Sequence, residues 1–236
     1  GNAANIGNVA IITKGAPACA YYGYEVTGIF RSVEEVANSA QPTARPGYPI
    51  FNDVNQDGKI NASDQKIIGD PYPDFTYGWR NELAYGNLSL SFLLQGQQGG
   101  QILNGNILES IYPSNYRRNM LRATVEDRWT PENTEAKWPS AVEPTSYGGG
   151  KVNTLALQDA SYLRLKYIQL HYQVPLRSTK AIRTLQVYLS AQNLFTISKY
   201  VGYDPEANAL GTSNARVDLN TYPLARVWSA GVNVSF

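Results

Sequence analysis

One cysteine and one histidine are all that this chain has of the residues that most often hold zinc or attack a substrate. With Cys19 alone, an internal disulfide and a cysteine-based zinc site are excluded. With His171 alone, there is little scope for a histidine triad or a histidine-rich metal centre. An excess of charge of either sign is missing too. The formal net charge is +1 with 17% charged residues, too balanced for a protein that captures nucleic acid or an anionic surface electrostatically. No apolar run approaches the roughly 18 residues of a membrane-crossing helix, and the mean hydropathy is −0.34. Neither property bears on a transmembrane barrel, whose strands carry one polar face. The opening residues, Gly1-Asn2-Ala3-Ala4-Asn5, lack the basic start and apolar core of a signal peptide. If the protein is exported, the chain is a mature form or a fragment, and a fragment is expected.

Tyrosine, by contrast, is abundant: 17 residues against 6 Phe and 4 Trp. Such amphipathic rings collect at bilayer interfaces, although soluble β-proteins and sugar sites also favour them. The clearest pattern is the last one. Trp228, Ala230, Val232, Val234 and Phe236 alternate with Ser229, Gly231, Asn233 and Ser235, which is the period of a strand with one apolar and one polar face. By itself this fits a half-buried strand of a soluble sandwich as well as the final strand of a membrane barrel.

The pattern recurs upstream. Residues 21–30 alternate as a first strand, after a connector holding a short apolar run at 9–12. Residues 75–85 and 88–96 form a hairpin about Gly86-Asn87, a two-residue turn. In 162–172 the phase slips: Leu163, Leu165 and Tyr167 are followed by Ile168, Leu170 and Tyr172. A β-bulge near Tyr167 restores one apolar face and places His171 in phase with Gln169 and Gln173. Residues 185–192 and the terminal stretch complete six strands. A short helix is expected at 32–37.

Long connections, 31–73, 98–160 and 193–224, alternate with short ones at 86–87 and 175–183. Short turns on one side and long loops on the other are the habit of outer-membrane barrels. Each strand has roughly the 9–11 residues that cross a bilayer at a tilt. Six strands do not close a useful barrel, and open edges in lipid leave backbone groups unpaired. The expected fold is therefore all-β, a transmembrane antiparallel β-barrel of which this chain gives about the last six strands.

Several strings in order carry a family resemblance: Tyr22-Gly23-Tyr24-Glu25-Val26-Thr27-Gly28-Ile29-Phe30, then Asp53-Val54-Asn55-Gln56-Asp57-Gly58-Lys59-Ile60, then Ile68-Gly69-Asp70-Pro71-Tyr72-Pro73-Asp74-Phe75. Gln158-Asp159-Ala160-Ser161-Tyr162-Leu163-Arg164-Leu165-Lys166, Ser190-Ala191-Gln192-Asn193-Leu194-Phe195 and Gly202-Tyr203-Asp204-Pro205-Glu206 follow. In order and spacing, the chain closely resembles the C-terminal quarter of SusC/RagA-type TonB-dependent outer-membrane transporters. The resemblance implies a barrel of about 22 strands, closed by an N-terminal plug that has no counterpart here. It also implies a SusD-like surface lipoprotein as lid, TonB as the energy-coupling partner, and oligosaccharides or oligopeptides as ligands. Pairing of transporter–lid units into a dimer is compatible with it.

Two groups of residues are candidate sites. Asp53, Asn55, Asp57, Lys59 (through its carbonyl), Asn61 and Asp64 occupy positions 1, 3, 5, 7, 9 and 12 of an EF-hand-like loop with Gly58 at position 6. That spacing wraps oxygen ligands around one Ca²⁺ in a structural role. The same residues also make an Asp/Asn/Gly turn held by its own side chains, and the short Asp64 replaces the usual Glu. Trp129, Trp138 and Tyr147, in the expected outer loop, either stack on sugar or touch the lid, or pack within the loop. Glu132, Glu135 and Glu143 form no spaced acid–base pair. No Ser-His-Asp order appears, and no enzymatic activity is expected. The competing class is a secreted soluble β-domain that binds carbohydrate and is stapled by calcium. In that case Leu88, Leu90, Phe92, Leu94, Val187, Leu189, Val232 and Val234 would pack on a second sheet instead of lipid.

Overall fold

In the computed structural model the alternating stretches become the longest strands: Phe75–Tyr85, Leu88–Gln98, Tyr162–Gln173, Thr184–Gln192 and Val227–Ser235. The structure describes residues 4–6, 9–112, 119–142, 152–176, 182–209 and 215–236. The chain divides into two units. One comprises residues 1–72, 100–159 and 206–221; the other comprises 73–99, 160–205 and 222–236.

The second unit is a six-stranded antiparallel sheet. From the terminal strand its order runs through 184–192, 162–173 and 88–98 to 75–85, with Thr196–Ser198 paired to the start of 162–173. Gly86 has φ +58 and Asn87 does not share the positive angle, the pattern of a II′ hairpin turn. The bulge expected near Tyr167 is present. Leu165 faces Leu94 and Tyr167 faces Leu93, so Lys166 is the extra residue. Leu163 and Leu165 thereby share a face with Ile168, Leu170 and Tyr172, since each faces a residue of the Leu88-Leu90-Phe92-Leu94-Gly96 series.

One strand differs from expectation. Residues 21–30 do not form a single barrel strand but split into Ala20–Gly23 and Val26–Ile29, which belong to different small sheets of the first unit. The cause is a crossing segment: Tyr24 N donates to Val152 O at 3.0 Å, and Thr154 N donates to Tyr24 O at 3.2 Å. Gly23 permits the approach, because a Cβ there would collide with the Val152 carbonyl. The sixth member of the large sheet is instead the short Thr196–Ser198, inside the segment expected to be loop.

The first unit shows that the long connections carry structure of their own. Ala4–Ile6, Ala10–Ile12, Ala20–Gly23 and Lys66–Gly69 form one sheet, and Gln101–Asn104 pairs with Leu157–Asp159 and, in parallel, with Val217–Asp218. Tyr21, Leu103, Ala156, Ala215 and Val217 pack into one core. Tyr21 is fully buried, and its hydroxyl donates to Arg216 O at 2.6 Å and lies 3.1 Å from Gln101 O. Burial pushes this phenol well above its usual pKa. The helix expected at 32–37 is Val33–Ala37, capped by Ser32 Oγ, which accepts from Glu35 N at 3.2 Å.

Candidate functional site

The register of the large sheet sorts its side chains into two faces. On one, Leu83, Leu90, Leu170, Leu189 and Ala230 form a row across the five long strands; Tyr85, Leu88, Tyr172, Val187 and Val232 form the next. The other face carries the row Glu82, Ser91, Gln169, Ser190 and Ser229. The apolar face is uncovered: Leu83, Tyr85, Leu189, Trp228 and Val232 are all at least half exposed. Aromatic rings gather toward its ends, with Phe75, Tyr77, Trp79 and Trp228 at one and Tyr85, Tyr172 and Phe236 at the other. His171 falls on the polar face, opposite Ser89 and Tyr188, with its ring 5.8 Å from the Tyr188 ring.

At the start of the Tyr162–Gln173 strand, Arg164 is buried against Asp204. Its Nη2 lies 2.7 Å from Asp204 Oδ1, its Nε donates to Thr196 Oγ1 at 2.9 Å, and its guanidinium stands over the Tyr162 ring. At the bulge, Lys166, Tyr167, Gln169, Ser190, Gln192 and Asn193 line a polar recess of about 490 Å³.

The 53–64 loop is drawn tight by its own side chains. Asp53 accepts from Asp57 N (3.2 Å) and Gly58 N (2.8 Å), and Asp57 Oδ1 accepts from Lys59 N (2.9 Å). Asn55 accepts from Asp57 N (3.0 Å) and donates to Asp57 Oδ2 (3.0 Å). Asp64 is fully buried. It accepts from Val54 N (3.1 Å) and Asn61 N (2.7 Å), while Asn61 caps the turn Ala62–Asp64. Gly58 takes φ +77, which the sharp bend requires. Among the described residues no three His, Cys, Asp or Glu side chains converge as a metal centre. The oxygen-rich donor set still suits calcium, because each carboxylate oxygen keeps a lone pair beyond the N–H bond it accepts.

Of the three aromatic candidates, Trp138 is buried with Ile107, Ile111 and Tyr112, so its ring fills a core instead of facing a ligand. Trp129 is half-buried and lies across Gly47, where a Cβ would run into the indole; its amide donates to Trp138 O at 2.8 Å. Tyr147 lies outside the described residues, as does Glu143. Of the remaining loop glutamates, Glu135 pairs with Arg31 at 2.9 Å. That pair stands at a cavity of about 480 Å³ between the Val26–Ile29 strand and residues 134–137. Sequence alone gave no sign of this cavity, because its walls are more than a hundred residues apart in the chain. Glu25 accepts from Lys66 Nζ and Asn52 Nδ2, both at 2.6 Å. These bonds, with Lys66 the stronger, hold its carboxyl below the usual range.

No family model matches the chain. Curated relatives do. The chain is 32% identical to TonB-dependent receptor P3 of Formosa agariphila, over 96% of this chain and 23% of that protein. It is 29% identical to TonB-dependent receptor SusC of Bacteroides thetaiotaomicron, over 81% of this chain and 18% of that protein. Its fold matches a solved structure of the RagAB peptide transporter with a TM-score of 0.76 at 24% identity, over 98% of this chain and 24% of that one. The chain thus spans between about a fifth and a quarter of the length of these relatives. The fold and the two-faced sheet are those of a segment of an antiparallel barrel, and the sequence is similar to that of TonB-dependent receptors. Within that class it corresponds to a portion of the SusC/RagA-type TonB-dependent transporters.

Proposed function

We propose that this chain is the C-terminal barrel portion of an active nutrient importer of the outer membrane. The importer takes up glycans or oligopeptides, is driven by TonB, and works with a SusD-like lipoprotein lid. The observation that carries the reading is the exposed apolar face, with its two rows of Leu, Val, Ala and Tyr and its aromatic rings toward both ends. Water disfavours so large a continuous apolar surface, whereas a bilayer suits both its apolar centre and its aromatic ends. The opposite face, with Gln169, Ser190 and Ser229, suits a polar lumen. The names of the relatives, receptors and a peptide transporter, support a transport role that is not enzymatic.

In this reading 31–73, 98–160 and 193–224 lie on the extracellular side, where ligand is captured between barrel and lid before the plug is displaced. Paired transporter–lid units are the assembly it allows. The 53–64 loop acts there as a staple that calcium tightens, through Asp53, Asn55, Asp57, the Lys59 carbonyl, Asn61 and Asp64.

The test is the native polypeptide carrying this sequence. Recovery from outer membranes only with detergent, at a mass several times 26.0 kDa, is expected. A complete, detergent-free protein of 26.0 kDa overturns the reading in favour of a soluble carbohydrate-binding domain.

A further inference from the structure

Two tyrosines of the large sheet lie across glycines of the neighbouring strand. Tyr77 faces Gly96 where Phe75–Tyr85 pairs with Leu88–Gln98. The Cζ and hydroxyl of its ring stand 2.5 Å from where a Cβ on Gly96 would be. With no side chain in the way, the ring passes over this strand to the next one. There the Tyr77 hydroxyl donates to Tyr162 O at 3.1 Å, one residue before Leu163, which faces Gly96.

Tyr188 and Gly231 repeat the arrangement on the polar face. They face each other where Thr184–Gln192 pairs with Val227–Ser235, and the Tyr188 Cζ and hydroxyl again stand 2.5 Å from a Cβ position on the glycine. Among the described residues the Tyr188 hydroxyl has no hydrogen-bond partner. Val227–Ser235 is the end of the sheet among those residues, so no strand lies beyond Gly231.

The backbone register makes the two places equivalent. Leu165 N donates to Phe195 O at 3.1 Å, and alternation from there turns Tyr162 O toward Leu88–Gln98. Val174 N donates to Leu185 O at 2.9 Å, and the same alternation turns the N–H and C=O of Tyr188 toward Gly231. The N–H and C=O of Ala230 and Val232 then point to the free edge. An antiparallel sheet turned over about the inter-strand direction presents the same pattern, so Tyr188 stands to that edge as Tyr77 stands to Tyr162.

We propose that Tyr188 is a positioning residue at a seam: its hydroxyl fastens a further antiparallel strand docked on Val227–Ser235. It does so by donating to the backbone carbonyl one residue before the position facing Gly231. The docked strand belongs to the same polypeptide, outside this chain. There is length for it, since this chain covers only 18% to 24% of the relatives named above. An open edge beside an apolar face leaves the Ala230 and Val232 backbone unpaired in a bilayer, and a docked strand removes that cost. The inference rests on the importer reading and adds the side chain that holds its barrel together at this edge.

The experiment uses the full-length protein carrying this sequence, in detergent micelles, with residue-resolved hydrogen exchange. Tyr188→Phe removes one hydroxyl and leaves the ring in place. It should speed exchange at the Ala230 and Val232 amides about three- to tenfold, the range of one lost hydrogen bond, and leave the Gly231 amide unmoved. Tyr77→Phe, where the acceptor is seen, should do the same at the Tyr162 amide and sets the scale. A photo-reactive benzoyl group in place of the Tyr188 hydroxyl should cross-link to a residue outside 1–236 of the same molecule. Unchanged exchange at Ala230 and Val232 in Tyr188→Phe, or a cross-link confined to residues 1–236, overturns the proposal. A cross-linked product of doubled mass gives the edge to a second copy and overturns it as well. In both cases slow exchange of these amides in the wild type leaves the barrel standing. Wild-type exchange at Ala230 and Val232 as fast as in an unfolded chain means that no strand docks there, and the importer reading falls with the proposal.

Discussion

Arg164 and Asp204, 40 residues apart in the chain, form an ion pair of 2.7 Å with both side chains almost fully buried. The pair pins the segment after Thr196–Ser198 against the start of the Tyr162–Gln173 strand. Removing one partner strands a desolvated charge, which costs about 3–5 kcal/mol, whereas replacing both by apolar groups costs far less. Asp204→Ala should therefore lower the thermal midpoint in detergent sharply, and Arg164→Met/Asp204→Leu should recover most of the loss. A single variant as stable as the double one would show that the pair contributes little.

The two faces of the sheet should respond oppositely to charge. Leu189→Arg and Leu90→Arg place a guanidinium on the apolar face, at about 2–4 kcal/mol near a bilayer midplane. Ser190→Arg, one residue along and on the polar face, should be tolerated. Denaturant unfolding in lipid vesicles measures both, and equal effects would mean that neither face meets lipid.

Acid should release the tie between Glu25 and Lys66. Because the folded protein holds this carboxyl below its unfolded value of 4.5, its stabilising contribution is complete above that pH. It is lost as pH falls through the folded value. The stability difference between wild type and Lys66→Met should shrink on acidification. A difference that persists at the acid end would place the effect in packing instead.

Asp64 holds two backbone amides in the 53–64 loop, so Asp64→Ala should cost about 1–3 kcal/mol through unsatisfied N–H groups. Calcium added to chelator-treated protein should raise the thermal midpoint of the wild type and not of Asp57→Ala. No calcium response in either would leave the loop a self-bonded turn.

Where chemistry repeats locally, the sequence was legible. The Gly86-Asn87 turn, the slip at Lys166 and the side of His171 all follow from period-two counting within one strand and its neighbour. The 21–30 stretch also counts as a strand, yet it is divided because residues 152–154 cross it, and periodicity holds no record of a partner 128 residues away. Trp138 was open to two readings, packing within the loop being favoured over a ligand contact, and the choice rests on Ile107 and Ile111 folding over it. The cavity at Val26–Ile29 is likewise a product of tertiary approach.

The Tyr21 hydroxyl meets a carbonyl 195 residues further along, at Arg216. Contacts of such separation come late in folding, because the loop they close is costly to order before they form. The hairpin about Gly86-Asn87 has no such wait. During synthesis its strands are complete while the core around Tyr21 still lacks Ala215 and Val217. The core around Tyr21 therefore cannot close until residues 215–217 have been made.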